Sequence, residues 1–214
     1  MNKLNELILK PEEIFYIGKT TGGKYLDYSY IAAMKELGMR KKLKAQEILD
    51  GLCSKGYAEE DLLGNVEISS ELLEFISPVY NGTYESELTV RYIDSEGVQY
   101  KFHQLDGRIL AVKCMDQEYL ITESGRQEIE EILKLYAGDA DDPSDAAASV
   151  QLDQIEQMII LKGTRIGQDV SVFAYGKAGN AFYEPDPASS QEDTLRRIPK
   201  SDFYERAMRV LAGG

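Results

Sequence analysis

Apolar positions recur at helical spacing over the first 80 residues, and the chain then switches to a period of two. Pro11-Glu12-Glu13 reads as a helix start, with proline and carboxylates in the first turn, where the helix dipole favours them. Gly22-Gly23 breaks that helix. Tyr30, Met34 and Leu37 mark a second helix, stopped at Gly38. Leu43, Ile48, Leu49 and Leu52 form the stripe of a third, ended by Gly56. Ser69 or Ser70 caps a fourth that carries Leu72, Leu73 and Ile76 and is expected to stop at Pro78.

From residue 88 the pattern predicts an antiparallel meander. Leu88, Val90 and Tyr92 alternate with polar residues, and Asp94-Ser95-Glu96-Gly97 makes a turn. Val98, Tyr100 and Phe102 follow, then the two-residue hairpin signal Asp106-Gly107. Leu110, Val112 and Cys114 share one face of the next strand, and Glu118–Thr122 forms a fourth. Ser124 is expected to cap a helix bearing Ile129, Ile132, Leu133 and Tyr136, with Gln127 closing a capping box.

Residues 138–150 (GDADDPSDAAAS and Val150) are acidic and rich in small residues, and read as a linker. Beyond it, Leu152, Ile155 and Ile159 fit a helical stripe, while Met158–Leu161 equally fits a buried strand. Val170, Val172 and Ala174 alternate with Phe173 and Tyr175, Gly176 to Gly179 turns the chain, and Ala181–Glu184 returns. A polar loop spans 185–194, and Ser201-Asp202 caps a last helix with Phe203, Ala207, Val210 and Leu211. The expected organisation is thus 1–137 (helices, meander, helix), a linker at 138–150 and a smaller sheet-plus-helix half at 151–214, in one compact domain. The fold class is α+β. Strands followed by a capped helix occur at 88–136 and at 157–212, the pattern of two related halves, without a residue-level repeat.

Charge changes the picture. The 37 acidic and 24 basic residues give a net charge of −13, which repels phosphate backbones and anionic lipid, so neither nucleic acid nor membrane is an expected partner. No apolar run reaches the length of a membrane-spanning helix, and the short patch Leu7–Leu9 lacks the pattern of a signal peptide. Cys53 and Cys114 have no CxxC spacing and fit a reducing compartment, so a cytoplasmic location is expected.

Motifs for chemistry are weak. Gly18-Lys19-Thr20 ends like a phosphate loop, but Glu13 stands where the first glycine belongs. Asp139, Asp141, Asp142 and Asp145 lack the glycine and glutamate of a calcium loop, with Ser144 and Val150 in those places. His103, the one histidine, shares the polar face of its strand with Gln99 and Lys101 and reads as an ordinary surface or interface histidine. Neither a catalytic residue nor a metal or other cofactor is expected, and the protein reads as a binding protein rather than an enzyme. Fourteen tyrosines, several in loops or at strand ends, suit an interface.

The segments LILKPEEIFYI, LCSKGYAEEDLLGNVEISSELLEFISPV and YKFHQLDGRILAV, followed by a helix, a linker and a second sheet-plus-helix half, resemble the EspG-like cytosolic chaperones of type VII secretion systems and their Gram-positive relatives. The resemblance spreads over residues 7–212 and is one of pattern. It implies a central antiparallel sheet flanked by helical bundles, in two quasi-symmetric halves. It also implies a holdase that grips the apolar end of a secreted helical-hairpin substrate, with Phe173, Tyr175, Phe182 and Tyr183 on the partner-binding surface. Two other readings remain open on residues alone. One is a DNA-associated regulator with a winged-helix-like segment at 28–70 and the basic Arg40-Lys41-Lys42; the other is an enzyme built on unremarkable carboxylates.

Overall fold

The computed structural model describes residues 4–28, 30–32, 45–116, 118–138, 146–165, 167–190 and 193–213. Among the described residues ten strands form one antiparallel sheet, in the order β1 (Glu6–Leu9), β7 (Tyr119–Ser124), β6 (Arg108–Cys114), β5 (Val98–Leu105), β4 (Tyr84–Tyr92), β9 (Gln157–Arg165), β10 (Ser171–Ala178), β11 (Ala181–Pro185), β12 (Thr194–Ile198) and β8 (Ser149–Gln151), and β2 (Ala58–Glu60) and β3 (Val66–Ile68) form a separate hairpin. The chain is α+β, as its pattern implies. It divides into two compact units, residues 1–83 with 103–123 and residues 84–102 with 124–214.

In the first unit, residues 1–80 are not helical throughout, contrary to expectation. Glu6–Leu9 is strand β1, paired with β7 (Tyr119–Ser124) so that Leu7 faces Ile121 and Leu9 faces Tyr119. Leu7 and Leu9 are buried while Glu6 and Ile8 are exposed, the alternation of a half-covered strand. Pro11 holds Lys10 extended and opens α1 (Pro11–Thr21), where the Glu13 carboxylate accepts from the Lys10 N–H at 2.7 Å. That carboxylate is only 3% exposed and is also bound by Lys55 Nζ at 2.7 Å. Gly51, in α2 (Ala45–Ser54), stands beside it, where a side chain would press on the carboxylate. Met34, Leu37, Gly38 and Leu43 lie outside the described residues.

β2 (Ala58–Glu60) and β3 (Val66–Ile68) are a second departure from the helical reading. Ser69 caps α3 (Ser70–Asn81), and Pro78 does not stop it. A proline inside a helix removes one donor and leaves the carbonyl four residues earlier unsatisfied. Here that carbonyl belongs to Glu74, and it accepts instead from Arg108 Nη1 at 3.0 Å. Arg108 opens β6 (Arg108–Cys114), joined to β5 (Val98–Leu105) through Asp106 and Gly107, whose φ of 50° and 79° are those of a two-residue hairpin turn.

His103 is not a surface residue. It is 1% exposed, with its Nε2 atom 2.9 Å from the Tyr30 hydroxyl and the Tyr30 ring edge-on to Tyr119. Strict alternation fails there because Lys101 and Phe102 are buried as well: both faces of β5 are covered.

In the second unit, β4 (Tyr84–Tyr92) pairs with β9 (Gln157–Arg165) along its whole length, so Met158–Leu161 is strand rather than helix. β10 (Ser171–Ala178), β11 (Ala181–Pro185), β12 (Thr194–Ile198) and β8 (Ser149–Gln151) complete this half. The turn after β10 is at Gly179-Asn180, so of the expected turn Gly176 to Gly179 only Gly179 lies in it and residues 176–178 are strand. β12 begins at Thr194, the last residue of the expected polar loop.

One face carries Leu88, Val90, Ile159 and Leu161, all fully buried, and receives α5 (Lys200–Leu211) through Phe203, Ala207 and Leu211. Phe203 stacks on Phe182 at 4.1 Å between ring centres. The opposite face is covered by a smaller cluster of Val150, Ile155, Ala181, Tyr183 and Leu195. α4 (Arg126–Ala137) is capped at Gly125 rather than at Ser124, and the Glu128 carboxylate, not Gln127, reaches back to accept from the cap N–H at 2.8 Å. α5 is likewise capped at Pro199 rather than at the expected Ser201-Asp202, which lies inside its first turn.

Replacing Arg108 with alanine should therefore cost about 1 kcal/mol in urea unfolding, the loss of a charged donor from a freed carbonyl. The cost should shrink when Pro78 is also changed to alanine, which restores the N–H that Glu74 lacks. Equal costs in both backgrounds would contradict this role for Arg108.

Candidate partner-binding surface

The structure separates the four residues expected at the partner surface. Tyr175 is 1% exposed and meets Phe203 edge-on at 5.0 Å. Its hydroxyl faces Arg206, which bonds Glu184 at 2.6 Å; burial pushes the phenol up and the neighbouring guanidinium only partly offsets it. Phe182, also 1% exposed, lies under α5. Tyr183 is on the other face, 2% exposed within the Val150–Leu195 cluster, and its hydroxyl donates to the Ala147 carbonyl at 3.3 Å. These three rings are core. Phe173 alone is open to solvent, at 38%.

Phe173 has apolar company that the alternation contained but that was not singled out as a site. Val170 and Val172 are 58% and 56% exposed. Register explains why. β10 pairs with β9 from Ser171 to Lys177, whereas β11 pairs with it only from Gly176 to Ala178. Among the described residues, Ser171–Tyr175 therefore forms a ladder on one side only. Phe173 lies opposite Leu161 and Val172 opposite Lys162, so the open stretch offers an apolar side chain to each face of the sheet. Residues 170–176 (VSVFAYG) carry no charge in a chain with 29% charged residues. That run was the available sequence signal.

Beside Val172 the sheet is polar. The Glu87 carboxylate accepts from Thr89 Oγ1 at 2.7 Å and from Lys162 Nζ at 3.2 Å, with Lys101 Nζ at 3.6 Å. Burial would raise the carboxyl, but hydrogen bonds from Thr89 and Gln99 and the charges of Lys101 and Lys162 outweigh it, holding it below the usual carboxylate range.

A second concavity, about 660 Å³, runs between α4 and α5. It is charged rather than apolar: Arg126, Lys134 and Lys200 line it with Glu130 and Glu205, over Tyr204 and Met208. Glu130 is paired with Lys134 and Glu205 with Arg209, each at 2.6 Å. An apolar ligand end would have to displace water from these ions, which the β10 stretch does not require.

The remaining motifs fall away from chemistry. Gly18-Lys19-Thr20 lies inside α1, and Gly18 is packed so closely under the Tyr80 ring that a side chain there would strike it, so this is no phosphate loop. No cluster of three metal-ligating side chains occurs among the described residues. Asp139, Asp141, Asp142 and Asp145, like Arg40-Lys41-Lys42, lie outside them. Among the described residues no helix is long and apolar enough to cross a membrane.

No family model matches the sequence, and no curated protein matches it. A solved structure does. The Mycobacterium tuberculosis type VII secretion system chaperone EspG5, in complex with the PE25–PPE41 dimer, aligns with 97% of this chain and 95% of its own, with a TM-score of 0.59 and 6% sequence identity. The two chains share a fold. At that identity the likeness carries over no residue, and the open β10 stretch stands on this chain's own geometry.

A carboxyl lowered on folding stabilises the folded state above its unfolded-state value, and the contribution is lost as pH falls through the folded value. Glu87→Gln should therefore lower stability by about 1 kcal/mol at neutral pH and by progressively less in acid. Urea titrations of both proteins at neutral and acid pH check this; a gap that does not close in acid would contradict the ion cluster.

Proposed function

We propose that this protein is a cytosolic chaperone of the holdase type, which keeps a secreted helical-hairpin substrate soluble by covering its apolar end. The observation that supports it most is the fold shared, over nearly the whole of both chains, with a type VII secretion chaperone solved with its PE25–PPE41 partner. The physical arrangement agrees. An apolar substrate end needs an apolar counterpart on a surface that otherwise stays dispersed. Val170, Val172 and Phe173 supply the first, and the net charge of −13 supplies the second.

Phe173 is the proposed anchor, an aromatic ring that gains most from burial on binding. Tyr175, Phe182 and Tyr183 act indirectly, by holding β10 and β11 flat beneath α5 and the opposite cluster.

A tagged chain recovered from the native host's cytosol should bring down a small helical-hairpin secretion substrate, identified by mass spectrometry and stable through gel filtration. Phe173→Ser should weaken that complex by about tenfold or more with only a modest fall in melting temperature, since 38% of the residue is open in the free chain. Recovery of DNA or metabolic enzymes instead, or a substrate complex indifferent to Phe173, would overturn the proposal.

A further inference from the structure

The β2–β3 hairpin breaks two rules that folded surfaces usually keep. The first concerns its tip. Turns are built mainly of glycine, proline, asparagine, aspartate and serine. Here Leu62 and Leu63 occupy the turn, and at 106% and 87% they are the most exposed large apolar residues among those described. The backbone under them is tied down. The Asp61 carboxylate accepts from the Leu63 and Asn65 N–H groups, each at 2.8 Å, and from Asn65 Nδ2 at 2.7 Å. Gln46 on α2 donates to the Glu60 carboxylate at 3.1 Å, and Ala58 and Ile68 anchor the base of the hairpin in the core. A tip held in this way loses little conformational entropy on binding. The second departure is electrostatic. Glu59 stands directly opposite Glu67 in the hairpin register, and like charges in that position are destabilising. Both are exposed, and residues 56–83 hold six carboxylates with no lysine or arginine among them.

We propose that this hairpin docks on a basic amphipathic helix of a partner protein, its leucines against the apolar stripe and its carboxylates against the lysines and arginines beside that stripe. Charge complementarity selects this occupant. An anionic lipid surface, or a second copy of a chain carrying −13, would bring more negative charge to Glu59 and Glu67. A basic helix instead relieves their repulsion and takes both leucines out of water. Such a helix carries apolar residues three and four apart with charged residues on each flank, which matches two adjacent leucines set among carboxylates. The hairpin lies in the first unit and Phe173 in the second, so this contact is separate from the proposed substrate strip and does not depend on the chaperone reading.

The probe is a fluorescent synthetic helix with leucine along one face and lysine on both flanks, titrated against the whole chain by anisotropy at low salt. Replacing Leu62 and Leu63 together with serine should weaken its binding by at least about tenfold without lowering the melting temperature, since both side chains already stand in water. Glu59→Lys should move the two readouts in opposite senses. It turns the facing pair into an attractive one and should raise the melting temperature by about 2 °C, while weakening the helix by about tenfold. Leu135→Ser removes an exposed leucine from α4 and should change neither. In the native host, a photo-cross-linking residue at position 62 should be recovered on a partner segment that is basic and has helical apolar spacing. Binding indifferent to the two leucines, equal weakening by Leu135→Ser, or a Glu59→Lys chain that binds the helix as before would each overturn the proposal. So would cross-links from position 62 to lipid, to a second copy or to an acidic segment, or the absence of any. Substrate capture through Phe173 is scored separately, by the co-purification above.

Discussion

The second unit depends on how the C-terminal end of α5 is buried. The last carbonyls of a helix have no partner within it, so a helix cannot end against a sheet without donors there to meet them. β4 supplies two. The Tyr84 hydroxyl donates to the Val210 carbonyl, and Ser86 Oγ donates to the Leu211 carbonyl at 2.8 Å. Both donors need the helix close to the strands, and Gly163, directly opposite Ser86 on β9, makes that approach possible. A side chain at 163 would collide with the Tyr84 ring and with Val210. With the helix end seated, Phe203 comes to rest between Tyr175 and Phe182, and the interior of this unit closes.

The open stretch of β10 is a consequence of that closure. Tyr175 and Phe182 are drawn into the core, so β11 is tied to the second half of β10 and leaves the first half without a neighbour on that side. The same strand is thus core at its end and surface at its start, within eight residues. That division suits the proposed function, which needs a rigid scaffold under a small apolar strip with acidic residues elsewhere to keep the chain dispersed.

Much of the fold was legible from periodicity. The meander from β4 to β7, the Asp106-Gly107 turn and the stripe of the last helix stand where alternation and turn chemistry place them. The misses have physical causes. Pro78 reads as a stop because the guanidinium that relieves it comes from Arg108, thirty residues on and invisible to local pattern. His103 and Lys101 read as surface because alternation assumes one open face, and β5 has none. β1 is too short to announce a period and is defined by its partner β7. For the site, composition drew attention to aromatic rings, yet aromatic rings are also the best core material, and three of the four expected residues went to the core. Exposure of Phe173, Val172 and Val170 follows from where β11 stops pairing, which no residue near them encodes.

The most direct test of a working apolar strip on β10 is hydrogen–deuterium exchange, comparing the dilute chain alone with the chain in complex with the proposed secreted substrate. Over 171–174, the alternate N–H groups that do not point at β9 should exchange faster in the free chain than those that do and become protected in the complex, while the β2–β3 hairpin at 58–68 stays unchanged. Protection confined to other segments, or none over β10, would contradict the account.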